Sequence, residues 1–209
     1  MQRFYEVIEP FQLNTWTLDY NNLLINIFGT NQKVFINKKG YFITVKQNAA
    51  FQLIASNKKI LIHNQDYDCI NDIVIKDRDF VCAKINYTNK KKDNSPEFHR
   101  FKSGLIKIAI NHLNKYCNLI HNFFKERCIG DKQLIAESLS KIRIGQIIGS
   151  IQFIKLLEDE KDYVNAANSV LDTFDLLITC AGGRAFINNG LAESKFIFLL
   201  LSNVYIIEN

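Results

Sequence analysis

The hydrophobic period changes once along the chain, and that change limits the fold more than any other feature. Before residue 86 the apolar residues come in short runs rich in Ile, Val, Phe and Thr, cut by Asn, Gly, Asp and Lys: LLINIF, KVFIN, YFITV, FQLIAS, KILIH, DIVI and FVCAKI. Runs of this length and composition fit strands, and their spacing predicts a small antiparallel sheet or barrel. Residues 1–85 are therefore read as an all-β domain. The segment NYTNKKKDNSPEF, Asn86 to Phe98, carries charge, turn formers and a proline without periodic apolar residues, the composition of a linker. Beyond it Leu105, Ile108, His112, Leu113, Tyr116 and Ile120 recur at intervals of three and four, which places them on one face of a helix ending near Arg127 to Gly130. Leu134 to Leu157 and Tyr163 to Cys180 repeat that pattern, with Ala181-Gly182-Gly183 as a stop, and a fourth helix runs from Glu193 into Tyr205. Strands first and helices afterwards define an α+β chain: a small antiparallel β barrel or sheet domain, then a C-terminal four-helix bundle over residues 99–209.

The totals agree with a folded protein and exclude several classes. A hydrophobic content of 47% with only 2 prolines supports a real core. The net charge of +5 comes from scattered lysines interleaved with acids, and the dense cluster Lys90-Lys91-Lys92 reads as a solvated loop, so no nucleic-acid partner is expected. The 5 cysteines (Cys69, Cys82, Cys117, Cys128, Cys180) are far apart and form no C-x-x-C pair, which argues against a disulfide framework and against a metal site. Most are expected to be small core residues in a reducing compartment. MQRFYEVIEPF holds no apolar run of the signal-peptide kind. FIFLLLSNVYII is too short to cross a bilayer and reads as a buried or interface helix. The expectation is a cytoplasmic protein with no membrane span.

One stretch, NKKGYFIT (Asn37 to Thr44), admits two roles. It has the composition of an ordinary strand after a glycine turn. Its aromatic at Phe42 and hydroxyl at Thr44 also suit the wall of a flat cofactor's pocket. Five segments, taken in order, resemble the acyl-CoA dehydrogenase family. YEVIEP (Tyr5 to Pro10) is similar to that family's Tyr-x-Val-Thr-Glu-Pro strand, and NKKGYFIT to its Asn-Gly-x-Lys-x-Trp-Ile-Thr hairpin. NAAFQLIAS (Asn48 to Ser56) matches the next strand, KERCIG (Lys125 to Gly130) the end of the first C-terminal helix, and AGGRAF (Ala181 to Phe186) the glycine turn after the third. The resemblance spans almost the whole chain.

It implies an FAD-binding site. Phe42 would pack on the isoalloxazine and Thr44 would hydrogen-bond near its N5, with Tyr5 and Val7 on the adjoining strand. Arg127, Gly182 and Gly183 would meet a partner subunit's cofactor. The base that removes a thioester's α proton would be Glu208, within a couple of positions of the family's Glu-Gly-Thr motif. This chain departs from the pattern at several polar positions. Ile8 stands where the family has a flavin-binding threonine, Asn14 or Thr15 alone could replace a serine, and Thr179 replaces a glutamine. The usual Gly-Thr does not follow Glu208, and YEVIEP opens the chain where the family would already have passed an N-terminal helical domain.

Two functions follow from the resemblance. One is FAD-dependent α,β-dehydrogenation of an acyl thioester carried by coenzyme A or a carrier protein. The other is a non-catalytic acyl-CoA dehydrogenase-like subunit, or an interaction module pairing with a longer homologue. Both imply an oligomer, of like or unlike chains, and the apolar run Phe196 to Leu201 is the expected association surface.

Overall fold

A computed structural model describes residues 15–30, 32–45, 50–55, 58–63, 68–69, 80–85, 95–127, 133–186 and 190–207. The segment DIVI, the YEVIEP strand and Glu208 fall outside them. The described chain is of α+β class and mostly helical. It divides into two compact units: Thr15–Leu105 with Leu199–Asn209, and Met1–Asn14 with Ile106–Phe198.

The first unit opens with a helix, α1 (Trp16–Phe28), where the sequence reading places the strand LLINIF. Trp16, Tyr20 and Leu24, buried at intervals of four, carry the helical signal. The local wealth of Ile, Leu and Phe imitates a strand only when that spacing is ignored. Gly29, at φ 72°, closes the helix in the left-handed conformation that glycine adopts without penalty, and its N–H reaches the Ile25 carbonyl at 2.7 Å.

Among the described residues six strands follow: β1 (Lys33–Phe35), β2 (Tyr41–Val45), β3 (Ala50–Ala55), β4 (Lys58–His63), β5 (Asp68–Cys69) and β6 (Phe80–Lys84). They form two three-stranded sheets, ordered β1-β3-β4 and β2-β6-β5, rather than one closed antiparallel barrel. Strand β1 runs parallel to β3, with Val34 opposite Leu53, whereas β3 and β4 are antiparallel. In the second sheet Ile43 of β2 faces Cys82 of β6. Consecutive strands β1 and β2 thus belong to different sheets, and alternation alone could not have shown that.

Asn37 fixes the turn between them. Its side-chain Oδ1 accepts from the N–H groups of Lys39 and Tyr41, each at 2.9 Å, while Gly40, at φ 87°, takes the left-handed position. Its Nδ2 donates to the Val204 carbonyl at 3.1 Å. With 2% of the residue exposed, these bonds have little competition from water. Asn37→Ala is expected to cost about 2 kcal/mol, because it strands two backbone N–H groups and one carbonyl. Urea unfolding read by circular dichroism checks this, and a loss within experimental error would refute it.

Helix α2 (Pro96–Arg127) begins three residues inside the expected linker. Ser95-Pro96-Glu97 explains the difference: Ser95 Oγ accepts the Phe98 N–H at 3.2 Å, proline occupies the first helical position, and an acid sits in the first turn. Gly104 lies where α1 passes close by, since a Cβ there would run into the end of the Leu23 side chain. Within the first unit, Phe35 gathers Phe28, Phe98 and Phe101 at centroid distances of 4.9 to 5.0 Å.

The described part of the second unit is helical. It holds the rest of α2, then α3 (Gln133–Asp159), α4 (Tyr163–Ala181), a 3-10 turn (Gly182–Phe186) and most of α5 (Leu191–Ser202). Lys107 of α2 pairs with Glu158 of α3 at 3.4 Å, α3 packs along α4, Lys195 of α5 pairs with Asp175 of α4 at 2.6 Å, and Tyr116 of α2 hydrogen-bonds Ser194 of α5 at 3.0 Å. Each helix therefore meets two others in a four-helix arrangement. Asp162 caps α4 by accepting the Asn165 N–H. No strand occurs among the described residues between 105 and 177.

Candidate functional site

Among the described residues of the first unit, buried hydroxyls converge on Ile43, in the middle of β2. Strand β6 covers one edge of β2. On the other edge, two tyrosine hydroxyls take the place of a neighbouring strand. Tyr20 of α1 donates to the Ile43 carbonyl at 2.8 Å, and the Ile43 N–H donates to the Tyr205 hydroxyl oxygen at 2.7 Å. Tyr205 in turn lies 3.1 Å from the Phe35 carbonyl and 3.4 Å from that of Ile43, so its single hydroxyl hydrogen is best spent on Phe35. One side chain thereby joins β1 of one sheet to β2 of the other. Tyr205 reaches this position from a π-helical turn, Asn203–Ile207, which continues α5 and buries Val204, Tyr205 and Ile206.

Burial keeps both phenols protonated. It is the largest cause of the rise in the Tyr20 pKa, followed by the neighbouring Tyr205, and it likewise pushes the Tyr205 pKa upward. Both hydroxyls are therefore neutral donors at ordinary pH. Their rings join the aromatic cluster: Tyr205 meets Phe101 edge-on at 5.0 Å, and Tyr20 meets Phe80 at 5.6 Å. A neutral, water-excluded clasp of this kind holds backbone in place; it offers no group for proton transfer.

Phe42 and Thr44 project from the same face of β2, next to this clasp. Phe42 is fully buried and Thr44 is 2% exposed, so in this conformation neither presents an open face to a flat ring. The Thr44 Oγ1 is buried without a hydrogen-bond partner. In the other unit, Gly182 and Gly183 are exposed at the C-terminal end of α4, Gly182 with φ 59°. Arg127 is the last residue of α2. Tyr5, Val7, Ile8 and Glu208 lie outside the described residues. Among the described residues, no group of three or more His, Cys, Asp or Glu could hold a metal ion. No described helix is long and apolar enough to cross a membrane.

Sequence reasoning missed Tyr20, Tyr205 and Asn37. Tyr20 was legible from its spacing to Trp16 and Leu24, and Asn37 from the Asn-x-x-Gly turn. Nothing in the sequence places Tyr205 beside Ile43, because the two are 162 residues apart.

No protein-family model and no curated protein sequence matches the chain. Two solved structures align with most of this chain at low sequence identity. One is glutaryl-coenzyme A dehydrogenase in its complex with glutaryl-CoA, at 8% identity and a TM-score of 0.45 over 85% of this chain. Another is 3-HSA hydroxylase from Rhodococcus sp. RHA1, at 9% identity and a TM-score of 0.49 over 98% of this chain and 74% of that one. This chain spans 57% of the length of the glutaryl-coenzyme A dehydrogenase chain.

Proposed function

We propose that this chain is a non-catalytic acyl-CoA dehydrogenase-like protein, a binding or assembly module in which the β unit has become a packed scaffold. The observation that carries this reading is the burial of Phe42 and Thr44 by the chain's own residues. A flavin ring needs one face of its neighbouring aromatic free, and Phe42 has no exposed surface. The replacement of the family's hydroxyl by Ile8 points the same way.

The dehydrogenase reading keeps one specific support, the unpartnered Thr44 hydroxyl. A buried hydroxyl without an acceptor is costly, and a bound ligand is one way to satisfy it. On that reading Phe42 and Thr44 would hold FAD, which would supply hydride-accepting chemistry for an acyl thioester. Within the chain's own residues, Thr44 would orient the ring.

A single set of measurements separates the two. Purified protein is expected to lack visible flavin absorbance and to show no change on addition of excess FAD. Thr44→Val is expected to leave stability unchanged or raise it by about 1 kcal/mol, because it removes an unsatisfied hydroxyl while keeping the shape. Flavin retained on purification, lost in Thr44→Val and bleached by an acyl-CoA, would overturn the proposal in favour of the enzyme.

A further inference from the structure

We draw no further inference here: the strongest candidate, the exposed apolar face that Ile142, Ile148, Phe153 and Leu156 give α3, carries none because nothing in the structure shows what covers it.

Discussion

Tyr205→Ala is expected to destabilise the first unit by about 4 kcal/mol, the cost of truncating a fully buried aromatic, and to leave the Ile43 N–H without an acceptor. Tyr205→Phe separates the two contributions. It keeps the ring against Phe101 but removes the oxygen that joins Phe35 to Ile43, so the expected loss is about 2 kcal/mol. Tyr20→Phe should cost less, about 1 kcal/mol, since it leaves one carbonyl short of a donor, whereas Tyr205→Phe strands both the Ile43 N–H and the Phe35 carbonyl. The double variant should lose about the sum of the single ones, since the one Tyr205 hydrogen can serve only one of the two carbonyls at a time. Equilibrium unfolding in urea, with unchanged slopes across the series, measures all three. Equal losses for Tyr20→Phe and Tyr205→Phe would contradict the assignment of Tyr205 as the bridging group.

How much of this was legible beforehand depends on the range of the interaction. The helices after residue 98 could be read because a helix buries a periodic face, and Leu105, Leu113 and Ile120 sit on one regardless of what they touch. The strand at Tyr41 to Val45 was legible for a similar local reason. Helix α1 was not, because LLINIF is equally apolar in either period; only Trp16 and Tyr20, just upstream, break the tie. The division into two sheets depends on β1 pairing with β3 rather than β2, a choice made by long-range packing and by the Tyr205 bridge. The roles suggested for Phe42 and Thr44 rested on resemblance, and a resemblance carries residue types but not burial. On α3 Ile142 and Ile148 are exposed while Ile147 and Ile154 are buried, a division that becomes visible only when the packed side is known.

The same two tyrosines should make the protein sensitive to alkali well before general denaturation. Both have pKa values raised in the folded state above the ordinary value of 10.0, chiefly by burial. Below that ordinary value the phenols are protonated in folded and unfolded chains alike, and the stability they contribute is fully present. Above it the unfolded chain releases both protons while the folded chain retains them, so each further pH unit favours unfolding by about 1.4 kcal/mol per tyrosine, or about 2.7 kcal/mol for the pair. The loss continues until pH passes the raised folded-state values. Stability measured in urea is therefore expected to be nearly flat in this respect up to about pH 10 and to fall steeply thereafter. Tyr205→Phe, although less stable at neutral pH, should show about half that alkaline slope, because one of the two buried phenols is gone. An unchanged slope in Tyr205→Phe, or ionisation of all 8 tyrosines of the folded protein at the ordinary pH by ultraviolet titration, would show that the clasp around Ile43 is open to water.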